Sequence, residues 1–194
     1  MEKQKELLGL LKDNPVIPCT SNFDDTLVPG FDDVKVVLLH DLSIFDLLEV
    51  AKKNKEIKKK IILNIDTIKG IARDEHGLSF IKRYLKINII ATSSPRIINY
   101  SKKLDFLVMQ TIFLFDTKSL KKGVDLIKQG KPDLVDIRPG ISALKTMPFL
   151  KNNLKEVPIV CSGFIQNKSD IADVLNNNVI AITTSNKKLW NLYT

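Results

Sequence analysis

Residues 157–186 read VPIVCSGFIQNKSDIADVLNNNVIAITTSN: an apolar run from Val157 to Gly163, a helical pattern through Ile171, Val174 and Leu175, and a second apolar run from Val179 to Ser185. Both runs are nearly continuous in Ile and Val instead of alternating with polar residues. Strands need that pattern when both faces of a parallel sheet are covered. Ser169-Asp170 supplies a capping residue and an early acid for the helix between them. The stretch is therefore a strand–helix–strand unit, and its two strands are parallel neighbours.

The same unit recurs along the chain. Further apolar runs lie at Pro15 to Pro18, Val34 to His40, Lys60 to Asp66, Asn88 to Ser93, Phe106 to Phe113 and Leu134 to Pro139, which makes eight. Between most of them apolar residues repeat at helical spacing, as in Ile44, Leu47, Leu48 and Ala51, in Leu78, Ile81 and Leu85, and in Leu120, Val124 and Ile127. Ser43 with Asp46 and Asp74-Glu75 open two of these helices, and Gly130 closes the fifth after a lysine-rich last turn. Eight strands alternating with helices at a period of roughly two dozen residues predict a compact (β/α)8 TIM-type barrel, with residues 1–194 as a single barrel domain. Thr20 to Asp33 breaks the pattern with Asn22, Asp24, Asp25, Pro29, Gly30, Asp32 and Asp33, so the first crossover helix should be short or irregular. An open doubly wound sheet is the competing arrangement, but no GxGxxG or Walker loop follows any strand.

Composition bounds the function. Hydrophobic residues make up 44% of the 194, ample for one core. The N-terminal MEKQKELLGLLKDNP sets a five-residue apolar patch among Glu, Lys and Asp, too short for a signal-peptide core, and no later run approaches membrane length. A cytoplasmic location is expected. Cys19 and Cys161 belong to no metal pattern and read as reduced thiols, while His40 and His76 have no partner at metal-ligand or triad spacing. No metal, cofactor or catalytic residue is expected. The net charge of +8 favours anionic partners such as phosphorylated metabolites, RNA or anionic surfaces, without choosing among them. The lysine clusters, such as Lys58-Lys59-Lys60 and Lys121-Lys122, read as solvated helix faces, since no interleaved aromatics accompany them.

Function in a barrel gathers at the carboxyl ends of its strands, and phosphate sites use the last two strand-to-helix loops. Those loops are Cys161-Ser162-Gly163 and Thr183-Thr184-Ser185-Asn186. Gly163 allows close backbone approach, and Ser185, Asn186 and Lys187 would open a final helix whose N–H groups face an anion. The alternative is that this run only caps that helix. Asp66 and Asp136 end strands on different sides of the barrel. They could orient a ligand's hydroxyls, act as general acid and base, or bond only to neighbouring barrel residues.

At these segments the sequence resembles the glycerol-3-phosphate-responsive antiterminators. The likeness is carried by Asn14-Pro15-Val16-Ile17-Pro18, by Asn64-Ile65-Asp66-Thr67-Ile68-Lys69-Gly70 with Asp74-Glu75-His76-Gly77, and by Gln110 to Thr117. It continues through Lys131-Pro132-Asp133, Arg138-Pro139-Gly140-Ile141, Ser162-Gly163-Phe164-Ile165 and Thr183 to Trp190, the last being the most specific. The resemblance implies a barrel that is a sensor and not an enzyme. Its ligand, glycerol 3-phosphate, would sit at the mouth on Asp66, Asp136, Ser162, Gly163, Thr184, Ser185 and Asn186, and ligand binding would favour a form that binds leader mRNA and prevents transcription termination. Relatives carry Arg where this chain has Ser21, Ser93, Thr111 and Gln166, and His where it has Asn64. Arg138 would compensate in part for the missing arginines, each a strong phosphate partner. Two other functions stay open from the residues alone: a phosphosugar-type barrel enzyme using Asp66 and Asp136, and a diverged, ligand-independent regulator. The sequence assigns no residue to RNA contact and leaves homo-oligomer formation open.

Overall fold

The computed structural model describes residues 2–154 and 157–193. Eight strands, β1 (Val16–Thr20), β2 (Val36–Leu39), β3 (Lys60–Asn64), β4 (Ile89–Thr92), β5 (Leu107–Phe113), β6 (Leu134–Arg138), β7 (Ile159–Ser162) and β8 (Ala181–Thr184), pair in chain order into a closed barrel. All pairings are parallel, and β1 closes on β8 with Ile17 opposite Thr183. The eight apolar runs become the eight strands because both strand faces are covered. Ile17, Leu38, Ile62, Ala91, Met109 and Val160 fill the interior, while neighbours such as Val37, Leu63 and Ile90 pack under the surrounding helices.

A helix that the strand–helix alternation did not call for precedes the barrel. α1 (Glu2–Asp13) lies across its floor, the amino-terminal ends of the strands, and pushes Leu7 and Leu11 into the interior cluster. Burying each leucine is worth about 2 kcal/mol. Gln4 donates to the carbonyl of Asp133, Lys60 pairs with Glu6 at 2.7 Å, and Lys3 pairs with Asp105.

The surrounding helices are α2 (Ile44–Ile57), α3 (Glu75–Arg83), α4 (Pro95–Lys103), α5 (Thr117–Gly130), α6 (Ala143–Asn153) and α7 (Lys168–Leu175). The first crossover holds only a 3-10 turn, Phe23–Thr26, as its Asp, Asn, Pro and Gly content predicted. Ser43 and Asp46 form a reciprocal capping box on α2, and Asp74 caps α3.

Three local expectations need correction. Asn167, not Ser169, caps α7: its side chain accepts from the Asp170 amide while Asp170 answers through its carboxylate, so the helix starts ahead of the expected pair. Gly130 stays helical at the end of α5, and the left-handed residue is Lys131 with φ 45°. Gly130 is small for a packing reason, since a Cβ there would meet Gln110 Oε1 at 3.0 Å. The helix expected after β8 is a single 3-10 turn, Lys187–Leu189, too short to present a helix-dipole anion site.

Candidate functional site

The carboxyl ends of the strands surround a cavity of about 570 Å³. Its wall includes Ser162 to Gln166 after β7, Thr183 to Asn186 at β8, and Arg138 and Pro139 at the end of β6. The two expected loops are laced together: Thr184 Oγ1 donates to the Ile165 carbonyl at 3.1 Å, and Asn186 Nδ2 donates to the Gln166 carbonyl at 3.0 Å. The β7 loop turns sharply because Gly163 and Phe164 are both left-handed, at φ 89° and 59°. Gly163 is needed for that conformation and not for space, since its nearest obstacle to a Cβ is 3.9 Å away. Ser162, Gly163, Thr184, Ser185 and Asn186 thus share one wall.

Beneath this wall runs a chain of hydrogen bonds across β6, β7 and β8. Thr183 Oγ1 donates to Ser162 Oγ at 2.7 Å, Ser162 Oγ donates to Asp136 Oδ1 at 2.5 Å, and Arg138 Nε donates to Asp136 Oδ2 at 2.6 Å. Asp136 has no exposed surface, and burial lifts its carboxyl above the ordinary range against the opposing pull of Arg138 and of the Ser162 bond. The carboxylate holds Arg138 by one edge. The guanidinium's terminal Nη groups bond to nothing among the described residues, and the side chain lines the cavity. A cation anchored through Nε in the wall of a cavity, with its terminal Nη groups uncommitted, is suited to a phosphate or carboxylate.

The two aspartates do not converge. Asp66, in the 3-10 turn Ile65–Thr67 after β3, accepts from Thr92 Oγ1 at 2.6 Å and from the Ser93 amide and hydroxyl at 2.7 and 2.8 Å. Neither Asp66 nor Asp136 is in the cavity wall. Of the positions where relatives were expected to carry Arg, only Gln166 lines the cavity; Ser93 serves Asp66, and Thr111 is buried beside Asp136. Among the described residues, no group of three or more His, Cys, Asp and Glu is placed to hold a metal.

Sequence reasoning missed the aromatic rim. Phe113 at the end of β5 and Phe115 just beyond it stand parallel with ring centroids 6.3 Å apart, and Phe164 lines the same cavity from the loop after β7; Phe115 and Phe164 are 82% and 71% exposed. Phe113-Leu114-Phe115 at a strand's end was the available signal, because Leu114 packs under α5 and alternation turns both rings to the opposite, mouth-facing side. Cys19 and His40 also line the cavity, and His40 Nδ1 lies 2.7 Å from Asp41.

A family model described as glycerol-3-phosphate responsive antiterminator matches residues 16–190. The chain belongs to that family. Its fold is shared with the glycerol uptake operon antiterminator regulatory protein of Listeria monocytogenes, at 25% identity and a TM-score of 0.83 over 92% of this chain and 96% of that one. A glycerol uptake operon antiterminator-related protein of Thermotoga maritima matches at 22% identity and a TM-score of 0.80, over 91% of this chain and 98% of its own. The uncharacterized Escherichia coli protein YgcP is 22% identical over 96% of each chain. Among the described residues of this antiterminator-family barrel, no helix is long and apolar enough to cross a membrane.

Proposed function

We propose that this barrel is a cytoplasmic transcription antiterminator that binds a small phosphorylated ligand, glycerol 3-phosphate, at its mouth and binds leader mRNA when that ligand is in place. The observation that carries the ligand half is Arg138, held through Nε by buried Asp136, without an Nη hydrogen bond among the described residues, and lining a cavity walled by Gly163, Thr184, Ser185 and Asn186. Ligand phosphate would lie against Arg138 and the β7–β8 loops, and its hydroxyls would reach Ser185 or His40. Asp136 acts by positioning Arg138, and Asp66 by fixing the β3 and β4 ends, so both serve the site without standing in its wall. The enzymatic alternative would need Asp66 or Asp136 free to move a proton, and each is held by neighbouring donors.

Coupling to RNA requires the ligand to bind one state of the protein more tightly than another. Calorimetric titration at low salt with glycerol 3-phosphate, inorganic phosphate and glycerol tests the reading. Selective heat with glycerol 3-phosphate, lost in Ser185→Ala combined with Gly163→Ala, is the expected result. No heat with any of the three would move the function to a ligand-independent regulator.

A further inference from the structure

The chain's surplus positive charge is gathered at the end of the barrel opposite the ligand cavity. In a (β/α)8 barrel every helix ends on the floor, and the last turns of α2 to α6 carry Lys55, Lys82 with Arg83, Lys102 with Lys103, Lys128, and Lys151. Lysines at helix C-termini compensate the macrodipole and need no further role. Three others go beyond that. Lys58, Lys86 and Lys131 lie past the helix ends in left-handed backbone, with φ of 59°, 58° and 45°. Glycine or asparagine holds such positions at less cost, and they are the common residues there. Three of the floor's carboxylates are taken by other lysines: Asp105 by Lys3 and Lys82, Glu6 by Lys60, and Asp133 by Lys102. Among the described residues, Lys58, Lys86 and Lys131 have no ion-pair partner.

Lys58 and Lys86 line one cleft of about 320 Å³ between α1 and the entrances of β3 and β4, with Lys3, Lys59 and Lys60 beside them and Glu6 as its one carboxylate among the described lining residues. Lys59 is committed elsewhere, since its Nζ donates to the carbonyls of Phe31 and Val34. Two residues before Lys86 stands Tyr84, the C-cap of α3, 71% exposed and backed by a stacked Phe80 at 5.3 Å. An exposed, braced aromatic ring two residues from an unpaired lysine has the two parts that single-stranded nucleic acid recognition uses, a stacking face and a phosphate contact.

We propose that the floor of the barrel is the RNA-binding face, with Lys58, Lys86 and Lys131 against backbone phosphates and Tyr84 stacked on an unpaired base. The assignment rests on the antiterminator reading above for the identity of the partner, and it adds the place. Ligand and RNA then occupy opposite ends of the barrel, and neither competes for the other's residues.

The test exploits the left-handed backbone. Lys58→Gly with Lys86→Gly removes two charges while relieving two strained conformations, so the double variant should melt at or above the wild-type temperature. Lys58→Asn with Lys86→Asn repeats the experiment with side chains that also tolerate φ > 0. Binding of a fluorescent oligouridylate is measured across a salt series in saturating glycerol 3-phosphate. Both double variants should bind at least roughly tenfold more weakly at low salt, and the slope of log affinity against log salt should fall by about 1.4. Tyr84→Ser should weaken binding roughly tenfold with the slope unchanged. Lys118→Gln with Lys121→Gln, at the mouth-side half of α5, should leave both quantities as they were. Equal loss in that control, or undiminished binding in the floor variants, overturns the floor as the RNA face while leaving the antiterminator reading intact. A wild-type protein that binds no oligouridylate at low salt, or that binds phosphatidylglycerol vesicles in its place, overturns the RNA reading and the floor assignment with it.

Discussion

Asp136 is the buried charge on which the proposed anion site depends, and its environment makes its contribution pH-dependent. Its folded carboxyl sits above the ordinary 3.8 because burial outweighs Arg138 and the Ser162 hydrogen bond. A carboxyl that holds its proton more tightly when folded stabilises the protein fully below the unfolded value near 3.9 and loses that contribution as pH rises through the folded value. Arg138→Met removes the largest opposing charge and lifts the carboxyl further. The variant should lose about 3 kcal/mol near neutrality and less towards pH ~4, where the carboxyl is protonated in either state. Denaturant melts across that range would show the widening deficit, and a deficit constant with pH would mean that Asp136 is not the group responsible. Cys19, in the cavity wall, is pushed up to about 11, chiefly by burial although Arg138 pulls the other way. At pH 8 about one thiol in a thousand is then ionised, and the thiolate is the nucleophile. Iodoacetamide should therefore label Cys19 far more slowly than a free cysteine, a difference that timed mass spectrometry can read.

Elements were legible wherever one local signal decided them. Each strand needed only its continuous run of Ile, Val and Leu, and the α2 and α3 starts needed only Ser43 with Asp46 and Asp74. Where two local candidates competed, tertiary packing chose. Asn167 displaced Ser169 as the α7 cap because Asp170 can return its hydrogen bond. Gly130 was claimed by Gln110 and Ile98, which left the left-handed turn to Lys131. Gly77 shows the same override, and it yields a prediction opposite to helix propensity. Gly to Ala within a helix ordinarily gains up to about 1 kcal/mol, but a Cβ at Gly77 in α3 would stand 1.9 Å from the Ala72 carbonyl oxygen. Gly77→Ala should cost about 2 kcal/mol in urea unfolding. The string ending at Trp190 was the most specific part of the family likeness, and its packing explains why. The buried indole donates to the Thr184 carbonyl at 2.8 Å and meets Phe31 edge-on at 5.4 Å, tying the β8 loop to the irregular first crossover. Trp190→Ala should cost about 4 kcal/mol.

For the molecule as a whole, barrel arithmetic fixed which two loops would adjoin. The chain's order could not reveal what stands across from them. Phe113 and Phe115 come from β5, His40 from β2 and Cys19 from β1, and only barrel closure brings them to one cavity. The saturation of Asp66 by Ser93 likewise depends on the β3–β4 register, which no single-chain pattern displays. Occupation of that cavity should be visible as global stabilisation. Glycerol 3-phosphate at a hundred times its dissociation constant adds about 2.7 kcal/mol, which for a chain this long is roughly 5–10 °C in melting temperature. Inorganic phosphate at the same concentration should give a smaller shift, and equal shifts would mean that the cavity does not read the glycerol end.

The helix lying across the floor sets an order on the making of the protein. α1 precedes all eight strands in the chain, so it leaves the ribosome ahead of its docking partners: Lys60 is made next, Asp105 later, and Asp133 later still. The interior that receives Leu7 and Leu11 also includes Val160 and Ala181, so the hole they fill exists only when the eighth strand has returned to the first. Until that closure the two leucines lack part of their cover, on a helix that also carries charged Lys3, Lys5, Glu6 and Lys12. A segment synthesised ahead of the barrel is thus among the last to find its place.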